Sequence, residues 1–484
     1  MKYKPLTNYY KGQKMTFKGD FLDVISPLNG EIISQVPLSS SDILDDAVNS
    51  AKTALLKWST IPIKERVQVF YRYKYLLEKN LNELSVLIRE ENGKTILEAK
   101  AEVEKSIELT EFACSLPQLV QGELLEVSKG VECRSERYPV GVVASITPFN
   151  FPFMVPNWSM PNALTLGNAM ILKPSEQVPI SAMRIAELLT EAGLPDGIFN
   201  IVHGDKDIVN AICDHTDIDA VSFVGSTKIA RIAYQRATSH NKRALTLGGA
   251  KNYLLVLPDA NPEMTASDVA ASMSGCAGQR CMAAAAVIAV GNVDGIIKGI
   301  CDNAKTIIPG KNLGAVISKE AQERIENYIS EAEGQGAVVL VDGRGVSVEN
   351  NENGFYVGPT VIDQVTPKMN IAREEVFGPV LSIIRVDTIE KALEIENNSQ
   401  YGNAAAVFTQ SGGLAQYVTE NVSAGMIGVN IGVPVPREPF SFGGWNQSKF
   451  GVGDLTGKSS IEFWTKLKKI TTKWNPEAKT NWMS

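Results

Sequence analysis

VGVVASITPFNFPFMVPNWSMPNALTLGNAMILKPSE, residues 140–176, decides the fold. Residues 140–146 and 169–173 are short apolar runs of strand character. Residues 154–167 between them read as a helix closing at Gly167-Asn168. No charged residue occurs from Val140 to Leu172, a length that would span a bilayer. Pro148, Pro152, Pro156 and Pro161 interrupt it, along with four asparagines. Each proline removes a backbone donor, and a lipid-facing helix has no water to make good the loss. A charge-free run broken in this way is the buried centre of a large enzyme.

The alternation continues outward. Ser181 opens a helix stopped by Gly193 and Pro195, residues 198–203 form a strand, and 205–213 a short helix. Strands at 220–224 and 243–247 flank a helix capped by Ser226. Strand–helix repetition of this kind implies a parallel sheet covered by helices, an α/β fold. The pattern restarts at Pro258-Asp259 with a helix over 262–275 and a second α/β unit to about 438. Upstream, residues 41–115 are helical. Ser41 is the expected N-cap, Ile43, Val48, Ala51, Leu55 and Leu56 the apolar stripe, and the charges of 63–112 mark surface helices. Residues 123–140 form a hairpin around Lys129-Gly130, and 459–474 read as a lysine-rich strand.

Composition narrows the class. The chain has 484 residues, 44% hydrophobic and 21% charged, which excludes a disordered, collagen-like or disulfide-scaffold protein. A net charge of −7 gives no basic face for nucleic acid. Six cysteines without a CxxC pair, and three histidines, supply no zinc spacing and so no metal ligands. Reduced thiols and a start without an apolar signal core point to a cytoplasmic protein.

Several residues could carry chemistry. Cys281 follows the cationic Arg280 and precedes an Ala-rich run read as a helix. Both features would favour a nucleophilic thiolate. Core packing is the ordinary role of a cysteine and serves for the other five. Gly225-Ser226 joins a strand to a helix N-terminus, either a plain turn or an anion cradle. Lys173 and Glu176 follow a strand's carboxyl end, where open sheets bind ligands, although loop charges are usually just solvated. Asn150 is an amide in an apolar segment, with a structural role or an oxyanion-donating one. Glu375 and Phe377 could decorate a surface or hold a ribose beside a flat ring.

In order, TPFNFP (147–152), LKPSE (172–176), LPDGIFNIVHG (194–204), SFVGS (222–226), GQRC (278–281), NGFYVGPT (353–360), EEVFGPV (374–380) and PFSFGG (439–444) resemble the NAD(P)-dependent aldehyde dehydrogenase superfamily. The resemblance runs from about residue 20 to 475. It implies two Rossmann-like parallel-sheet domains plus a small β oligomerisation ribbon. The NAD-binding domain would be residues 1–122 and 141–249, the catalytic domain 250–438, and the ribbon and tail 123–140 and 439–484. It further implies Cys281 as nucleophile and Asn150, with the Cys281 N–H, as oxyanion hole. Lys173 and Glu176 would hold the adenosine ribose, Gly225 and Ser226 the pyrophosphate, and Glu375 and Phe377 the nicotinamide ribose. Glu176 implies NAD rather than NADP. A small aldehyde substrate and a homodimer or homotetramer follow, with no nucleic-acid or membrane partner.

The chain departs from hydrolytic members at one place. Where they carry Glu-Leu-Gly-Gly-Lys, this chain reads Leu245-Thr246-Leu247-Gly248-Gly249-Ala250-Lys251-Asn252. Either Thr246 or Leu247 takes the glutamate's place, and neither is a base near neutral pH. The coenzyme A-using methylmalonate-semialdehyde dehydrogenases lack that glutamate. Their local features recur at 249–252, PDAN (258–261), AGQRCMA (277–283), EFACS (111–115) and VPVP (433–436). In that branch arginines matching Arg280 and Lys105 recognise the substrate carboxylate; lysine keeps the charge but not the bidentate fork. The resemblance thus implies oxidation of (methyl)malonate semialdehyde through a Cys281 thioester, with loss of CO2 and transfer to coenzyme A. A hydrolytic enzyme releasing free acid is the alternative, with Glu375 a possible base.

Overall fold

The computed structural model describes residues 1–474; residues 475–484 of the expected tail lie outside the described residues. Two parallel-stranded sheets and one antiparallel ribbon organise the chain. In the first sheet the five central strands are Phe199–Ile201, Ala169–Lys173, Val142–Ile146, Ala220–Val224 and Arg243–Leu247, all parallel. Asn8–Tyr10 with Gln13–Met15 extends one edge and Lys449–Phe450 the other, both antiparallel. Val142–Ile146 sits at the centre with all five of its residues buried; its one polar side chain, Ser145, is paired with Ser159 at 3.0 Å. The chain leaves it in one direction for Ala169–Lys173 and returns on its other side as Ala220–Val224. That reversal opens a crevice at the strands' carboxyl ends.

The second sheet orders Val338–Val341, Thr360–Asp363, Val380–Val386, Ala284–Val290, Asn252–Val256, Ala404–Phe408 and Met426–Val429; only Val338–Val341 is antiparallel. The ribbon pairs Thr465–Lys473 with Val131–Pro139, which in turn pairs with Leu124–Ser128.

Four readings need correction. The Ala-rich run after Cys281 is the strand Ala284–Val290, not a helix. It lies inside a covered sheet, with Ala286 and Ile288 in one core and Val287 and Ala289 in the other. Alanine's small side chain lets helices approach both faces, and tertiary packing overrides its helix propensity. Residues Ser459–Trp464 form a short helix before the ribbon strand begins at Thr465. The first helix starts at Ser41 with Ser40 as N-cap; its buried stripe includes Leu44, Ala47, Val48 and Ala51, and Leu56 is exposed. Glu91, Lys94 and Glu102 are buried, so the charged 63–112 region is not a set of plain surface helices. No helix among the described residues is long and apolar enough to cross a membrane.

Asn168 ties these parts together. Its Oδ1 accepts from Gly141 N at 3.0 Å, and its Nδ2 donates to Ala163 O at 2.9 Å and Trp464 O at 3.0 Å. Replacing Asn168 with Ala takes the side-chain partner from Gly141 N and Trp464 O, while Ala163 O keeps the backbone N–H of residue 168 at 3.1 Å. The replacement should lower the unfolding free energy by about 2 kcal/mol, measured by urea denaturation.

Candidate active site

Cys281 lies in a turn between the 3-10 segment Gly275–Gly278 and the strand Ala284–Val290. Three consecutive residues of that segment are left-handed: Cys276, Ala277 and Gly278, with φ of 55°, 52° and 69°. For two L-residues this costs on the order of 1–2 kcal/mol each. The kink lays Gly278 directly on Gly378, where a β-carbon would stand 2.0 Å from the Gly378 carbonyl oxygen. The Cys281 turn is thereby pressed against the segment carrying Glu375 and Phe377. Two amides fix it from below: Asn252 Nδ2 and Asn403 Nδ2 donate to Cys281 O at 2.7 and 2.9 Å.

Asn150 meets the same turn. It follows the central strand Val142–Ile146, is buried, and donates from Nδ2 to Gln279 O at 3.0 Å. Its neighbour Phe149 packs edge-on against Phe377, ring centroids 5.8 Å apart. Cys281 and Glu375 line one small cavity together with Arg280, Lys251 and Phe377. Cys281, Asn150, Glu375 and Phe377 are therefore gathered at one place from three separate segments.

The electrostatics differ from the sequence expectation. The segment after Cys281 is a strand, so it turns no helix N-terminus back on the thiol. Burial pushes its thiol up to about 12, and the nearby Glu375 carboxylate raises it further, against a smaller lowering from its own backbone N–H and Arg280. Glu375 is itself raised to about 7 by burial, opposed by a hydrogen bond from Ala250 N at 2.9 Å and by Lys251. Burial lowers Lys251 to about 8; it donates to Ile371 O at 2.6 Å.

The other expected positions lie at the strand ends lining the crevice. Lys173 is buried at the end of its strand, with Nζ 2.7 Å from Glu176 Oε2. Gly225 and Ser226 lead into the helix Thr227–Ser239, whose N-cap Ser226 makes no side-chain capping bond, leaving first-turn N–H groups for an anionic ligand. A cation–carboxylate pair at the end of one strand and such donors at the end of another, on either side of the central strand, fit a dinucleotide lying along the crevice.

Lys105 and Arg280 are both engaged by protein acceptors. Lys105 Nζ lies 2.7 Å from Glu438 and 3.1 Å from Glu108. Arg280 Nη2 donates to Ala271 O and Ser272 O at 3.1 and 3.0 Å, while its Nε is buried without a partner among the described residues. Sequence reading missed Lys94, Glu98 and Glu102, which contact the Asn150 segment or the Cys281 turn. Their one signal was the capping pattern Thr95-x-x-Glu98, which locates a helix start but not burial.

A cysteine brought together with an amide and a carboxylate in a two-sheet α/β fold suits an oxidoreductase that works through a thiol. The aldehyde dehydrogenase family matches residues 15–470, and the chain belongs to it. It is 41% identical over 478 residues to a malonate-semialdehyde dehydrogenase of Geobacillus kaustophilus, covering 97% of this chain and 99% of that one. Identity is also 41%, over 482 residues, to the malonate-semialdehyde dehydrogenase of Pseudomonas aeruginosa, covering 98% and 97%. Among solved structures, a protein of Sinorhizobium meliloti 1021 complexed with NAD, assigned as a methylmalonate-semialdehyde dehydrogenase, superposes with a TM-score of 0.97. It shows 41% identity and coverage of 99% and 100%. The methylmalonate-semialdehyde dehydrogenase of Oceanimonas doudoroffii gives 0.96, 41%, 98% and 99%. This chain is an NAD-dependent aldehyde-oxidising enzyme.

Burial and the Glu375 carboxylate hold the Cys281 thiol well above the ordinary cysteine range, so it is overwhelmingly neutral at pH 7. Alkylation of Cys281 by iodoacetamide in the cofactor-free enzyme should accelerate about tenfold per pH unit from 7 to 9 without a plateau. Glu375→Gln removes a negative charge and should speed it at each pH.

Proposed function

We propose that the enzyme oxidises a short carboxylated aldehyde of the malonate-semialdehyde type and passes the acyl group to coenzyme A. Cys281 adds to the aldehyde carbon. The oxyanion of the resulting thiohemiacetal is held by the Cys281 N–H and by the Asn150 N–H that Gln279 does not use. NAD supplies the hydride acceptor, held by Lys173, Glu176, Gly225, Ser226, Glu375 and Phe377. Loss of hydride leaves a thioester on Cys281. The thiol of coenzyme A then attacks the acyl carbon and Cys281 departs as thiolate. In the same turnover the bond to the substrate's carboxylate breaks: CO2 leaves, the electron pair stays on the α-carbon as a thioester enolate, and that carbon takes up a proton, giving acetyl-CoA or propionyl-CoA.

One observation carries the acyl-transfer reading. Leu247 and Thr246 are buried in the strand Arg243–Leu247, and Thr246 Oγ1 donates to Ala230 O at 2.9 Å. Neither can deprotonate water. The names of the relatives support the substrate. So does the unpartnered buried Nε of Arg280 beside Cys281, a donor that a carboxylate would satisfy. The hydrolytic alternative draws on Glu375, whose raised pKa of about 7 suits a general base. Homodimer or homotetramer formation is supported by the ribbon's outer strand Leu124–Ser128, exposed throughout with Leu124, Leu125 and Val127 uncovered. Six free cysteines agree with a cytoplasmic setting.

NADH formation from malonate semialdehyde should rise at least tenfold on adding coenzyme A, with acetyl-CoA as product. Equal rates with and without coenzyme A, and free acid as product, would select Glu375-assisted hydrolysis. Arg280→Leu should raise KM for malonate semialdehyde about tenfold or more with little change for propanal. Glu438→Gln, which removes one of the two carboxylates paired with Lys105, should lower KM for the semialdehyde alone. Parallel changes for both aldehydes would remove the carboxylate role.

A further inference from the structure

The long helix Ile96–Leu119 presents two carboxylates one turn apart, Glu98 and Glu102, and Lys94 stands just before its N-cap Thr95. Lys94 and Glu102 form an ion pair, with side-chain exposures of 2% and 0%. Burying two charges costs several kcal/mol per ion, so well-packed apolar residues would stabilise the fold as well. What the pair provides instead is geometry. Glu102 Oε1 accepts from Phe153 N at 2.9 Å and Met154 N at 3.0 Å. Lys94 Nζ donates to Asn150 O at 2.5 Å and stands 3.8 Å from the centre of the Phe151 ring. Asn92 Nδ2 adds a bond to Phe149 O at 2.8 Å. Residues 149, 150, 151, 153 and 154 are thus each fixed from one helix, the turn before it and Asn92, the last residue of the preceding helix Leu81–Asn92.

The same helix reaches the nucleophile. Glu98 Oε1 accepts from Cys276 N at 2.6 Å, in the left-handed part of the turn, and its Oε2 closes the capping box on Thr95. The box fixes the helix register, and the register fixes both attachments. Between them Asn150 Nδ2 donates to Gln279 O, using one of its two protons.

We propose that Lys94 and Glu102 are positioning residues for the reaction: they hold the Asn150 amide at the distance from Cys281 that an oxyanion requires, while Glu98 holds the nucleophile turn in the same frame. The proposal rests on the roles assigned above to Cys281 and Asn150, and not on coenzyme A or on the substrate carboxylate. Neither residue touches the reacting atoms, so their loss should appear in the step that builds an oxyanion and spare a reaction of Cys281 that builds none.

The experiment compares two reactions of the whole enzyme. The first is the single-turnover burst of NADH with saturating propanal and NAD and no coenzyme A. The second is alkylation of Cys281 by iodoacetamide, a displacement at saturated carbon. Glu102→Gln should slow the burst about 10²-fold, the loss typical of one oxyanion donor. Alkylation should stay within about threefold, and NAD affinity should not change. Glu102→Asp should recover at least tenfold of the burst. Lys94→Met serves as the second variant if Glu102→Gln does not fold, with Lys94→Arg as its rescue. A burst unchanged by these substitutions, or a burst and an alkylation rate that fall in parallel, would overturn the positioning role. An unimpaired burst in Asn150→Ala would locate the failure one step earlier, in the oxyanion assignment itself, and would remove the positioning of that amide with it.

Discussion

The backbone of Gly278 packs so closely on Gly378 and Pro379 that any side chain there would collide with main-chain atoms. This contact joins the turn that carries Cys281 to the segment that carries Glu375 and Phe377. The left-handed residues 276–278 exist to make it. Cys281's carbonyl is bound by amides from Asn252, which opens one strand of the second sheet, and Asn403, which precedes another. Asn150, arriving from the first sheet, closes the arrangement through Gln279. Local strain of a few kcal/mol is sustained because two sheets and the long helix over-determine the turn.

Burial governs what this site can do. The same desolvation raises the thiol of Cys281 and the carboxylate of Glu375, and the Glu375 charge disfavours the thiolate further. The resting site therefore favours a neutral thiol. Discharge of the acyl group is a separate matter, because the place of a water-activating carboxylate holds residues built into a strand. An enzyme that can form a thioester but lacks that base needs a better nucleophile than water, and a thiol is one.

Much of this was legible in the sequence. The strands 220–224 and 243–247 coincide with Ala220–Val224 and Arg243–Leu247 because each is a short apolar run with clear turn residues around it. Cys281, Asn150 and Glu375 were legible as motifs, and folding brings them together. The run after Cys281 was misread because alanines satisfy a helix pattern as readily as a doubly covered strand; only the sheet decides. Lys94 and Glu102 were hidden because periodicity puts charge outside by default, and a buried ion pair leaves no periodic trace. The raised thiol pKa was also invisible, since it depends on how completely the turn is covered and on where Glu375 lies.

The central claim is that a thioester on Cys281 waits for a thiol. Intact-protein mass spectrometry after one turnover with propanal and NAD, without coenzyme A, tests it most directly. The account predicts a propionyl increment on Cys281 that persists for many turnover times and disappears on adding coenzyme A, with propionyl-CoA formed in equal amount. An unmodified enzyme and free propionate, produced before any coenzyme A is added, would contradict it.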